Sequence, residues 1–144
     1  MHVADILRDR NREVVSIAAG LSIRDAAKVL TTNRIGAAIV RNQAGEMIGI
    51  VSERDLTRWI AETGAQDIKT PIEVLMTRTV ITCESEQGLS QVMKLMIDNE
   101  IRHLPVTEGG EPVAMIRIRD IVRGQVEAIE SENSELRKLL VALK

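Results

Sequence analysis

Residues 21–35 read LSIRDAAKVLTTNRI, and residues 87–101 read QGLSQVMKLMIDNEI. Laid over each other, they pair Ile23 with Leu89, Ala26 with Val92, Lys28 with Lys94, Leu30 with Met96, Asn33 with Asn99 and Ile35 with Ile101, always 66 positions apart. Upstream, Val14, Val15 and Ser16 fall on Val80, Ile81 and Thr82 at the same spacing. Downstream, one loop residue is lost, and Gly45/Gly110, Glu46/Glu111, Ile48/Val113, Arg54/Arg119 and Asp55/Asp120 align 65 apart. An offset kept through helix, strand and turn is the mark of an internal duplication, and it decides the fold.

Each copy reads as strand, helix, strand, strand, helix. Ile23, Ala26, Ala27 and Leu30, like Leu89, Val92, Met93 and Met96, recur at helical spacing. Val14–Ile17 and Val80–Thr82 read as short opening strands. Residues 37–40 and 47–51 flank a polar turn at 42–45, and residues 104–106 and 112–116 flank 108–110, which are hairpin signals. The strands are nearly continuous apolar runs, the pattern of burial on both faces. Pro71 sits at a helix-start position after a linker-like stretch, 64–70. The reading is therefore α/β (α+β): two tandem repeats at 1–66 and 67–124, then a helical tail at 125–144. Neither repeat is long enough for its own core, so the two sheets are expected to pack with pseudo-two-fold symmetry.

Composition narrows the function. The chain has 144 residues, 44% hydrophobic and 28% charged, with one Trp and no Tyr or Phe. An aliphatic core follows, and the aromatic platforms of single-stranded nucleic acid binding are missing. Nineteen basic against 21 acidic residues give a net charge of −2, which is no footprint for a nucleic acid polymer or a membrane surface. No basic-then-apolar leader and no membrane-length apolar run are seen. The lone Cys83 fits a reducing compartment. A cytoplasmic protein is expected.

The chain also resembles a known family. GIVSERD at 49–55 matches the Gly-hydrophobic-x-Ser/Thr-x-x-Asp motif of the cystathionine-β-synthase (CBS) domain pair, or Bateman module. RHLPV at 102–106 is similar to its strand before the hairpin, and VLMT at 74–77 to the start of a repeat. The resemblance implies a non-catalytic sensor binding an adenosine-containing regulatory ligand (AMP, ADP, ATP, an NAD-type molecule or S-adenosylmethionine) between the repeats and signalling to an unidentified effector protein. It implies that Asp55 and Asp120 hold ribose hydroxyls and that Ser52 meets phosphate. It implies that Val14, Val15, Ser16, Ile35, Gly36, Ala37 and Ala38 frame the base, with Val80, Thr82, Ile101, Arg102, His103 and Leu104 in the second copy.

Elementary chemistry stands beside that resemblance. A carboxylate can accept from both hydroxyls of a ribose. A helix start offers unpaired N–H groups to an anion, and Arg54 and Arg119 lie in the same turns. Ser52 and Asp55 equally fit a helix capping box. In the second copy Arg117 replaces that Ser, so Asp120 is an acid without its cap partner, and Arg117 either supplies a cation or closes the site. Ala114, replacing the motif Gly, adds a methyl group where the cleft is tight. His103 has no catalytic or metal-binding companions at the required spacing, and no enzyme or metal site is expected. Trp59 is expected at an interface between halves or subunits.

The tail carries its own pattern. Val126, Ile129, Asn133, Leu136, Leu140 and Leu143 alternate by three and four, a heptad seam with Asn133 at an a position. Glu132 at g and Arg137 at the next e are placed to pair between helices. A homodimer is expected, against the alternative that the helix folds onto its own domain. The competing function is a dimerising interaction module with no small-molecule ligand.

Overall fold

The computed structural model describes residues 1–7, 14–65 and 67–143. The elements are α1 (Val3–Leu7), β1 (Ser16–Ala18), α2 (Ile23–Asn33), β2 (Ala37–Arg41), β3 (Met47–Ser52), α3 (Glu53–Thr63), a 3-10 turn (Ile72–Val74), β4 (Cys83–Glu84), α4 (Leu89–Asp98), β5 (His103–Glu108), β6 (Glu111–Arg117) and α5 (Ile118–Ala142). They form two three-stranded sheets, ordered β1-β2-β3 and β4-β5-β6. In each, the first strand joins the second in parallel and the second and third form an antiparallel hairpin. This is the duplicated α+β architecture expected from the repeat.

The helices follow the apolar periodicity. Ile23, Ala26 and Leu30 are buried on α2, and Leu89, Val92 and Met96 on α4. Ser22 caps α2 by accepting the Asp25 N–H at 3.1 Å. Both helices stop the same way: Arg34 (φ 53°) and Glu100 (φ 54°) turn left-handed. The next amide then reaches back five residues in a Schellman-type closure, Ile35 to the Leu30 carbonyl and Ile101 to that of Met96, each at 3.0 Å.

Two sequence expectations need correction. The opening strands lie at 16–18 and 83–84, not 14–17 and 80–82, because the parallel ladder begins only at Ser16↔Ile39 and Cys83↔Val106. Register against a partner placed them, not β-branched content. Burial on both faces holds for the central strands, β2 at 37–40 and β5 at 104–107, whereas the edge strands β3 and β6 alternate. The C-terminal helix is present, and it continues the last helix of the second repeat: α5 runs unbroken across residue 124.

The chain forms two compact units, one of Glu13–Thr82 and one of Met1–Arg12 with Cys83–Lys144. They do not follow the 1–66 and 67–124 division, and the hydrogen bonds say why. Val3 N–H donates to the Gln87 carbonyl and Leu89 N–H to that of Met1, at 2.9 and 3.1 Å. Ile72 N–H donates to the Leu21 carbonyl and Ile23 N–H to that of Thr70, both at 2.8 Å. These are one arrangement made twice, bridging His2↔Gly88 and Ser22↔Pro71. Each unit thus completes the start of its first long helix with the segment that leads into the other sheet.

Gly49 shows what this requires. A Cβ there would stand 2.5 Å from Met76 Sδ and 3.0 Å from the Thr77 carbonyl oxygen. Ile50 and Thr77 exchange both backbone hydrogen bonds at 3.0 and 2.9 Å, drawing the lead-in segment flat against β3. The motif glycine therefore serves backbone packing within its unit.

Candidate functional site

In the Glu13–Thr82 unit, register gathers most of the expected residues at one end of the sheet. Ala37 pairs with Ser52 and Ala38 with Val51, so the start of β2 lies beside the end of β3. Ser16 pairs with Ile39, and the Val15 carbonyl accepts the Ile39 N–H at 3.3 Å, which brings residues 14–16 alongside. The Gly36 carbonyl accepts the Glu53 N–H at 2.9 Å, tying the loop before β2 to the first turn of α3. Ala37 and Ala38 are fully buried, while Ser52 and Asp55 are half-buried at the helix start.

Ser52 and Asp55 form a complete capping box. Asp55 Oδ2 accepts from Ser52 N at 2.8 Å and Ser52 Oγ at 3.0 Å, and Ser52 Oγ accepts from Asp55 N at 3.3 Å. Asp55 Oδ1 lies 3.8 Å from the exposed Arg58 Nη1, beyond hydrogen-bond length. Two expectations change here. The Ser52 hydroxyl is engaged on both sides, and the Glu53 and Asp55 amides at the helix start already have acceptors. The first turn offers an anion far less than a bare helix end would, and the exposed Arg54 is the cation of that turn.

The other unit repeats the backbone and changes the chemistry. His103 pairs with Arg117 and Leu104 with Ile116, and the Arg102 carbonyl accepts the Ile118 N–H at 3.0 Å. Arg102 and Arg119 are exposed, Ile101 and His103 half-buried and Leu104 buried. Val80 and Thr82 are half-buried just before β4, where the chain passes from one unit to the other. Asp120 Oδ2 accepts from Arg117 N at 3.1 Å and Nε at 3.0 Å, and its Oδ1 accepts from Nη2 at 3.0 Å. The expectation that Asp120 lacks a cap partner is wrong: Arg117 supplies the main-chain donor and a bidentate guanidinium. The Asp120 side chain is 3% exposed, against 13% for Asp55.

Trp59 and Leu56 pack against the core of their own unit. With Ile23, Ala27, Ile60 and Ile68 they line a groove of about 440 Å³ between α2 and α3. The position equivalent to Trp59 is Gly124, where a Cβ would meet Ile6 and Leu89 at 2.9 and 3.0 Å. There α1 fills the space the tryptophan takes in the first copy. Among the described residues, no group of three His, Cys, Asp or Glu side chains could hold a metal ion. Nor is any helix among them long and apolar enough to cross a membrane.

Comparison with known proteins places this geometry. The CBS domain matches residues 3–62 and 71–127. An uncharacterized protein of Methanopyrus kandleri is 26% identical over 88% of this chain and 65% of its own length. The mitochondrial CBS domain-containing protein CBSX3 of Arabidopsis thaliana is 32% identical over 82% of this chain and 58% of its own. The chain thus spans under two thirds of the length of these relatives. A crystal structure of a CBS-domain containing protein from Agrobacterium tumefaciens superposes with a TM-score of 0.83 at 34% identity, covering 87% of this chain and 99% of that one. A Pyrobaculum aerophilum CBS domain protein complexed with AMP gives 0.74 at 27% identity, over 83% and 89% of the two chains. The CBS domain pair of protein MJ0100, in complex with 5′-methylthioadenosine and S-adenosyl-L-methionine, gives 0.77 at 26%, over 89% and 98%.

Proposed function

The chain belongs to the CBS-domain family, and from that premise we propose that it is a non-catalytic regulatory module binding an adenosine-containing ligand beside Asp55. The observation that carries the reading is the Asp55 carboxylate. Its Oδ2 is fixed by the cap while Oδ1 stays at the partly open edge where β2, β3 and α3 meet. Ionised Oδ1 is an acceptor for ribose hydroxyls. Arg54 meets phosphate, and residues 14–16 and 35–38 frame the base. The AMP, methylthioadenosine and S-adenosylmethionine bound by the relatives support this ligand class.

The second set of residues, centred on Asp120, is occupied by the Arg117 guanidinium, so the reading assigns one ligand to each chain. The functional divisions are 1–66 and 67–124 for the repeats and 125–144 for the tail. The protein works as a cytoplasmic homodimer and passes the ligand's effect to a separate effector protein.

The test is thermal unfolding of the full chain with AMP, ADP, ATP, NADH or S-adenosylmethionine in excess. A ligand at about a hundred times its dissociation constant adds about 2.7 kcal/mol, several degrees at this size. Asp55→Asn keeps a cap acceptor but loses the charge, and weakens binding by about 10- to 100-fold. A shift with none of these ligands, or one that Asp55→Asn leaves intact, refutes the site. The exposed seam of α5 favours the second reading in the first case: a dimerising module without a ligand.

A further inference from the structure

We propose that α5 joins two copies of this chain as a parallel, in-register, two-stranded coil with Asn133 of each copy facing its counterpart. The proposal takes the homodimer of the reading above and gives it a surface and an orientation.

The exposed apolar stripe is long and continuous. Val122, Val126, Ile129, Leu136, Leu140 and Leu143 run from 46% exposed at Val122 to 84% at Leu143. With Asn133 they hold the a and d positions from end to end. The buried residues of α5 are Asp120, Ile121 and Gly124, and Gln125 donates to Ser90 Oγ of α4 at 2.7 Å. At 100° per residue that buried face lies roughly 140° around the helix from the stripe. The unit that holds α5 therefore cannot also cover the seam, which removes the alternative of a tail folded back on its own domain. Shortness is no obstacle: a free peptide of this length is marginal, but here the first turns are already fixed in the fold.

A second copy is the occupant the residues specify. A parallel pair stacks Val126 on Val126, Ile129 on Ile129 and so on through Leu143, with one polar layer. In that layer the two Asn133 amides satisfy each other, the known use of Asn at an a position. Glu132 then reaches the partner's Arg137 on both sides of the layer. An antiparallel pair with matched ends would set Asn133 against the partner's Leu136 and leave a buried amide unsatisfied. Ion pairs are available in either orientation, so the amide chooses.

Sedimentation equilibrium of the full chain is expected to give twice the chain mass. Leu136→Glu with Leu140→Glu alters two exposed side chains, so the circular dichroism spectrum is retained and the mass halves. A monomeric parent chain, or a double variant that stays dimeric, overturns the proposal. Leu143→Cys tests orientation. Cys83, the chain's one native cysteine, is buried, so mild oxidation links the variant into a disulfide dimer only if the two C-termini meet. A dimer that does not cross-link overturns the parallel arrangement. None of these readouts involves a nucleotide, so a failed ligand site and a failed coil are told apart.

Discussion

Replacing Arg117 separates the physical roles assigned to the second capping position. In the folded chain its guanidinium gives Asp120 two charge-assisted hydrogen bonds, and its main-chain N–H gives a third. Arg117→Ala removes the first two and leaves a carboxylate whose side chain is 3% exposed. The full cost of stripping a buried ion of its partner is about 3–5 kcal/mol. The Arg117 side chain is itself 33% exposed, so water can enter the space it vacates, and the expected loss falls to about 2 kcal/mol. Arg117→Ser should cost less. A serine there can copy Ser52, donating its hydroxyl to the acid and accepting the amide of residue 120, which recovers about 1 kcal/mol. Urea unfolding followed by circular dichroism, with equal slopes required across the series, would order the proteins parent, Ser, Ala. At about 3 °C per kcal/mol the melting points fall by about 3 and 6 °C. An alanine variant as stable as the parent would refute the ion-pair reasoning. A serine variant no better than alanine would refute the claim that both caps share one geometry. On the proposed function, Arg117→Ser also removes the guanidinium that spans both Asp120 oxygens, and calorimetric stoichiometry should rise from one adenosine ligand per chain towards two.

Other expectations concern single positions. Gly49→Ala drives a methyl group into Met76 and the Thr77 carbonyl and should cost about 1–3 kcal/mol, measured by the same urea series; a neutral result would mean the lead-in segment is not held against β3. Gly88 caps α4 without a side chain and has open space where a Cβ would stand, so Gly88→Ser should gain about 0.5 kcal/mol; a loss would count against this cap geometry. Burial, with help from the Glu84 carboxylate, pushes the Cys83 thiol up to about 12. The folded chain therefore keeps a proton that the unfolded chain gives up. Stability should decline as pH rises from about 9, by up to about 1.4 kcal/mol per pH unit. Cys83→Ala should flatten that slope, and an unchanged slope would assign it elsewhere.

The repeat was legible because it is written in side-chain periodicity. The positions that recur at helical spacing, Ile23, Ala26 and Leu30 with Leu89, Val92 and Met96, are those buried on α2 and α4. What stayed hidden was decided by backbone bonds between distant segments. Val3 and Ile72 make equivalent hydrogen bonds to Gln87 and Leu21, yet a five-residue helix and a single 3-10 turn share no pattern that would align them. The same applies to β1 and β4, whose positions follow from where β2 and β5 offer a parallel partner. Trp59, the chain's one aromatic residue, was expected at an interface between halves or subunits. Its actual neighbours, Leu56 and the α2 face, lie within its own unit.

At the two motif acids, local sequence gave the cap and could not give the second donor. A carboxylate three residues into a helix accepts the main-chain amide of the capping residue whatever that residue is, and both do, at 2.8 and 3.1 Å. The capping side chain decides what remains. Serine is short: it bonds the oxygen already used in the cap, leaving Asp55 Oδ1 at the rim of the sheet. Arginine is long enough to fold back over its own helix start and span both oxygens of Asp120. The signal was present as Arg-x-x-Asp at 117–120, but spacing alone could not say whether that cation faces outward to an anion or inward to its neighbour. Capping and the proposed ligand binding are therefore not rivals at Asp55, because the cap uses Oδ2 and the proposal uses Oδ1. At Asp120 they are rivals, because the guanidinium engages both.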